Sequence, residues 1–136
     1  MAASTVQAAP QEVTMWHYFD QKPEQEMLAD MVEEYNSLQD DIHINATFVS
    51  RTELMNQYTV GALSGELPDI GQVDSPDMES YISLGVFEDI TDELESWGEL
   101  DQFYDGPLSS CKALMEKFTD FHRIVTVLHL LAIWIF

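Results

Sequence analysis

Basic residues are scarce and cysteine is nearly absent in this chain of 136 residues: five Lys and Arg face 25 Asp and Glu, a net charge of −20, and Cys111 stands alone. Binding to phosphate backbones or anionic headgroups rests on clustered Lys and Arg, so this charge excludes nucleic acid as a partner and disfavours an anionic lipid surface. One thiol makes neither an intrachain disulfide nor a zinc site, and it leaves the redox compartment open. The glycine-rich turn that cradles a phosphate is missing. No nucleophile beside a base, and no opposed carboxylate pair, can be assembled, so the chain is expected to be no enzyme and to hold no cofactor. What is present is apolar: 46% of residues are hydrophobic. That is enough for a folded core, and the length suits one domain.

Met1 to Gln11 form a small, polar leader without the basic and apolar regions of a signal peptide. Val13, Met15, Trp16, Tyr18 and Phe19 predict a first strand, halted by Asp20 and Pro23. From Glu24 to Gln39, the stripe Met27, Leu28, Met31, Val32, Tyr35 and Leu38 predicts a helix, with Glu24, Glu26, Glu33 and Glu34 on its solvated face. Ile42, Ile44, Ala46 and Phe48 alternate with His43, Asn45 and Thr47, the period of a strand. Ser50 and Glu53 have capping-box spacing ahead of a second helix carrying Leu54, Met55, Tyr58, Ala62 and Leu63 and ending at Gly65. Ile70 to Val73 predict a third strand, Ser75 and Pro76 open a third helix ending at Gly85, and Asp89 caps a short fourth with Leu94 and Trp97. Strict alternation of strand and helix predicts an α/β, three-layer open parallel sheet with right-handed crossovers and strand order 2-1-3.

Ligands of open parallel sheets bind beyond the carboxyl ends of the strands, near the point where strand order reverses. His17 to Gln21, Val49 to Glu53 and Val73 to Asp77 meet at that edge. They bring Trp16, Tyr18 and Phe19 as flat apolar surfaces, with Asp20, Gln21, Arg51, Glu53, Asp74 and Ser75 as hydrogen-bonding groups. That mixture suits a neutral polyol: carboxylates accept bonds from hydroxyls, and aromatic faces cover the apolar side of a sugar ring. Trp16 and Phe19 serve equally as ordinary core. His17, Asp20 and Asp74 make a poor metal set, since two lie on one turn and the third is remote. Asn45-Ala46-Thr47 matches a glycosylation sequon, but in mid-strand it is taken as chance. Asp74 also occupies the position of a receiver-domain phosphoacceptor. That rival pattern then fails, because no acidic pair closes the first strand and its later βα units are not found.

Val13-Thr14-Met15-Trp16-His17-Tyr18, Glu33-Glu34-Tyr35-Asn36, Ile42-His43-Ile44, Ser64-Gly65-Glu66-Leu67-Pro68-Asp69-Ile70 and Leu84-Gly85-Val86-Phe87-Glu88-Asp89-Ile90-Thr91 occur in this order and spacing. Together they resemble the N-terminal part of the carbohydrate-binding, family 1 type extracellular solute-binding proteins of bacterial ABC importers. The resemblance covers 12–111. It implies part of the first lobe of a periplasmic-binding-protein-like fold, belonging to a periplasmic or lipid-anchored receptor that closes two lobes around a sugar or oligosaccharide and delivers it to a membrane permease. First-lobe contacts would then fall on Tyr18, Asp20, Gln21, Glu53, Asp74 and Ser75, beside Trp16. Such proteins are far longer, and the second lobe supplies the other half of their cleft. A truncated, non-functional product or an interaction module is therefore the competing expectation.

From Lys112 to Phe136 the acids almost vanish and apolar residues crowd the end. The uncharged run after Arg123 holds 13 residues, short of the ~20 that span a bilayer. A docked amphipathic helix is one reading of 112–136. The genetic code supplies another. Back-translated and read in the neighbouring frame, Leu114 to His122 accommodate Asp-Gly-Lys-Ile-Tyr-Gly-Leu-Pro, the family's characteristic continuation, and the Met115–Glu116 junction forces a glycine codon. The tail is then expected to follow a frameshift after Ser110 to Leu114 and to be foreign to the family.

Overall fold

The computed structural model describes residues 9–88 and 90–105, the backbone alone of Ser75, Glu79 and Thr91, and the backbone of Thr126–Val127. The elements run β1 (Gln11–His17), α1 (Lys22–Leu38), β2 (Ile42–Phe48), α2 (Arg51–Ser64), β3 (Ile70–Gly71), α3 (Met78–Ser83), α4 (Thr91–Trp97) and β4 (Thr126–Val127). All pairings in the sheet are parallel and its order is β2-β1-β3-β4, so the expected α/β class and the 2-1-3 order hold. β1 takes in Gln11, which sequence alone assigns to the leader. β3 is two residues long instead of four, although the Gln72 N–H still donates to the Trp16 carbonyl at 2.9 Å. Asp89 lies outside the described residues.

Chirality assigns the helices to faces. The step from β1 to β2 runs opposite to the step from β2 to β3, so right-handed crossovers put α1 on one face and α2 on the other. Alternation along β1 follows. Trp16 and Tyr18 pack against the cluster of Leu54, Tyr58, Val73, Met78, Tyr81 and Val86 on the α2 face. Met15 and His17, also buried, point to the α1 face. Tyr58 is the hub, fully buried, with ring centroids 5.3 Å from Trp16 and 5.1 Å from Tyr81. The loop before β3 is pinned to β1 by Asp69, whose Oδ2 accepts from the Thr14 N–H and hydroxyl, each at 2.8 Å. Without it, the Thr14 N–H beside such a short β3 would want a partner.

Two local expectations need correcting. The Ser50 hydroxyl does not cap α2. It meets the Thr52 hydroxyl at 3.1 Å instead, and the turn is closed by the Glu53 N–H on the Ser50 carbonyl. The α1 stripe is not a core face either: Leu28 alone is buried, while Met27, Met31 and Tyr35 are about 40% exposed and Leu38 is 74% exposed. Among the described residues α1 packs on β2, at the end of the sheet, and so narrow a floor takes one row of the stripe. Gly65 does end α2, at φ 75°, a left-handed conformation that costs other residues ~1 kcal/mol or more.

His17 is 7% exposed, its Nδ1 has no hydrogen-bond partner among the described residues, and its ring lies 5.9 Å from those of both Phe19 and Phe48. Burial lowers its pKa from the ordinary value. Below about pH 6.5 the unfolded chain therefore takes up a proton that the folded chain refuses. The stability that neutral His17 provides is complete above that pH and is lost as pH falls toward the depressed folded value. His17→Phe should flatten this fall and unfold at an equal or higher temperature near neutrality. Parallel pH profiles for variant and wild type would refute the assignment.

Of the tail, Thr126–Val127 pair with Ile70 and Gly71, and the rest lies outside the described residues. A ladder of two residues contributes little. Deleting Lys112 to Phe136 is accordingly expected to raise solubility and to leave the unfolding midpoint in place. A fall of ~5 °C or more, about 1 kcal/mol in a domain this size, would show that the tail packs on the sheet.

Candidate functional site

β1 leaves the sheet toward β2 on one side, and β3 continues it on the other, so strand order reverses between β1 and β3. The segments following β1, β2 and β3 meet at the carboxyl edge of that boundary. Gln72, buried at 2% exposure, sets their spacing: its Oε1 accepts from the Tyr18 N–H at 3.1 Å and its carbonyl accepts from the Tyr58 hydroxyl at 3.5 Å. Tyr18 is thereby held on the α2 face, and its hydroxyl donates to Asp74 Oδ1. Arg51, the first residue of α2, reaches across to pair with Asp74 Oδ2, and its guanidinium carbon lies 5.6 Å from the Tyr18 ring centroid. Three loops thus deliver one phenol, one carboxylate and one guanidinium to a single point.

The electrostatics follow from burial. The Asp74 side chain is 17% exposed and that of Arg51 63%, so the carboxylate sits in the wall and the guanidinium at the rim. Burial pushes the Tyr18 phenol well above its ordinary pKa, helped by its bond to Asp74 and by the carboxylate's charge, with Arg51 pulling the other way. Tyr18 therefore stays a proton donor at any physiological pH, and cannot serve as a base. Tyr81 is raised likewise, by burial and then by the charges of Asp77 and Asp74. Each Asp74 oxygen keeps a lone pair beyond the bond it already accepts, so the cluster can take hydroxyl donors and return donors from Arg51.

Of the residues singled out from sequence, the structure brings Tyr18 and Asp74 together. Trp16 is partly buried and packs on Tyr58, and the Phe19 ring lies 5.9 Å from that of His17 and 6.4 Å from that of Tyr18. Asp20 and Gln21 occupy the exposed turn into α1, where the Gln21 carbonyl accepts from the Glu24 and Gln25 N–H groups, both at 3.1 Å. Glu53 is exposed on the first turn of α2. Ser75 begins a 3-10 turn, and its side chain lies outside the described residues. His17 points to the other face from Asp74, and among the described residues no three of His, Cys, Asp and Glu converge on a metal position.

Two members of the site carried signals that sequence reasoning undervalued. Arg51 is the single basic residue between Lys22 and Lys112, in a chain of net charge −20. Gln72 interrupts the apolar run Ile70 to Val73, and a carboxamide buried in a strand needs partners for its polar atoms.

No protein-family model and no curated protein matches the chain. Two solved structures do. The cyclic α-maltosyl-1,6-maltose binding protein from Arthrobacter globiformis is 28% identical, with a TM-score of 0.58 over 74% of this chain and 23% of that one. The galacto-N-biose-/lacto-N-biose I-binding protein of the ABC transporter from Bifidobacterium longum, in complex with lacto-N-biose, has a TM-score of 0.66 at 23% identity, over 78% of this chain and 27% of its own. The chain thus spans roughly a quarter of the length of these structures. Its structural neighbours are sugar-binding proteins, and its fold is a periplasmic-binding-protein-like α/β unit.

Proposed function

We propose that this chain forms part of the sugar-receiving lobe of a carbohydrate-binding receptor that serves an ABC importer. The observation that carries the reading is the Tyr18–Asp74–Arg51 cluster at the point of strand reversal, a neutral-hydroxyl site where this fold class takes its ligands. Asp74 and Tyr18 would bond sugar hydroxyls, and Arg51 would turn from Asp74 to a ring or hydroxyl oxygen. Asp20, Gln21, Glu53 and Ser75 would line the rim, with Trp16 behind. The role is binding and release, not catalysis. The full receptor would be extracytoplasmic, periplasmic or lipid-anchored, and would dock on a membrane permease. No helix among the described residues is long and apolar enough to cross a membrane.

Support for a missing second half comes from the quarter-length match. A ligand held by one lobe stays open to water and gains nothing from closure. Calorimetry with a panel of malto- and galacto-oligosaccharides, on this chain and on one extended by restoring the reading frame, separates receptor from inert product. The extended chain should bind one of them with a dissociation constant near ~1 μM and the short chain no better than ~1 mM, a difference of about 4 kcal/mol. Failure of the extended chain to bind any would favour a non-functional product. Micromolar binding by the short chain would contradict the two-lobe account. Reading the gene tests the frame: a single-base change that opens no long solute-binding frame would sink the frameshift.

A further inference from the structure

Among the described residues β2 is an edge strand, and its outer edge is guarded by side chains. Along a strand, the backbone N–H and C=O of alternate residues point to opposite sides. The odd-numbered residues of this stretch face β1: the Val49 N–H donates to the His17 carbonyl and the Asp41 carbonyl accepts from the Gln11 N–H, each at 2.8 Å. Ile42, Ile44, Ala46 and Phe48 therefore turn their backbone groups outward, where no strand lies among the described residues. The first two are nevertheless paired. Ile44 donates its N–H to Asn36 Oδ1 at 2.9 Å and accepts from Asn36 Nδ2 at 3.0 Å. Ile42 does the same with Gln39, Oε1 and Nε2 each lying at 2.7 Å.

A carboxamide carries an acceptor and a donor side by side, as a peptide group does. Asn36, near the end of α1, and Gln39, just past it, thus stand where two peptide groups of a neighbouring strand would stand. Beyond them the edge is open: Asn45 to Phe48 are all exposed. We propose that Asn36 and Gln39 act as a surrogate strand that keeps the outer edge of β2 from pairing with β2 of a second copy of this chain. A second copy fits this edge for two reasons. An outward backbone edge is self-complementary in the antiparallel sense, so a two-fold pair needs no other surface. Ile42 to Phe48 carry no Asp, Glu, Pro or Gly, the composition that pairs edge to edge, and they form a neutral seam along which two copies of charge −20 can approach.

Amide hydrogen exchange and sedimentation velocity on the full chain test this. In the wild type, the Ile42 and Ile44 amides should exchange slowly and those of Ala46 and Phe48 fast. N36A/Q39A should expose all four, and should lower the dissociation constant for self-association by about tenfold or more. Thr47→Lys, placed on the exposed strand in the same background, should restore the wild-type sedimentation profile. Association through the apolar tail is common to every variant and cancels in the comparison. N36A alone, which leaves Gln39 in place, should give an intermediate shift and serves if the double variant does not fold. Fast exchange of Ile42 and Ile44 in the wild type would overturn the proposal. So would a variant whose edge amides open while its sedimentation profile stays that of the wild type.

Discussion

Replacing Tyr58 with alanine is expected to leave the chain largely unfolded near room temperature. The ring is fully buried and lies within 5.3 Å of Trp16 and 5.1 Å of Tyr81, so its removal opens a cavity between β1 and α3. Truncations of this kind cost about 3–5 kcal/mol. Small domains hold only ~5–15 kcal/mol in all, and the midpoint should fall by ~15–30 °C. Tyr58→Phe provides the control: it keeps the ring and gives up one hydrogen bond of 3.5 Å to the Gln72 carbonyl, so its midpoint should move little. Thermal unfolding followed by circular dichroism reads both. A Tyr58→Ala midpoint within a few degrees of wild type would mean that the α2–α3 cluster is not the core.

Asp74→Ala should weaken sugar binding by the extended chain about 10- to 150-fold, the loss of ~1.5–3 kcal/mol that goes with a charged hydrogen-bond partner. Its effect on folding should be modest: the pair with the mostly exposed Arg51 contributes little, while the part-buried Tyr18 hydroxyl loses its acceptor, a cost of about 1 kcal/mol. The short chain carries its own readout. Without the carboxylate, Tyr18 loses the second and third causes of its raised pKa but keeps the first, burial. Alkaline titration followed by phenolate absorbance should therefore show Tyr18, and to a lesser degree Tyr81, moving part of the way back toward the ordinary value. An unchanged titration would separate Tyr18 from Asp74 in solution. An unchanged sugar affinity would remove Asp74 from the site.

The alternation of short apolar runs with amphipathic stretches was enough to determine an α/β class and a parallel sheet, because periodicity and crossover chirality are local rules that this chain obeys. The order 2-1-3 was an expectation that the structure bears out. Gly65 ends α2 as read, since a left-handed residue leaves few choices at that position. Tyr18 and Asp74 could likewise be placed at one edge from topology alone. What tertiary structure decided is which groups touch. Thr52 diverts the Ser50 hydroxyl from its cap, and the narrow floor under α1 leaves Met27, Met31 and Tyr35 partly in solvent. Arg51 joins Asp74, while Asp20 and Gln21 stay on an exposed turn. Asn36 and Gln39 read as polar residues at a helix end, yet both fill the edge of β2. Such contacts depend on distances between segments far apart in the chain or on the angle of one turn, and neither is written in the period of a sequence.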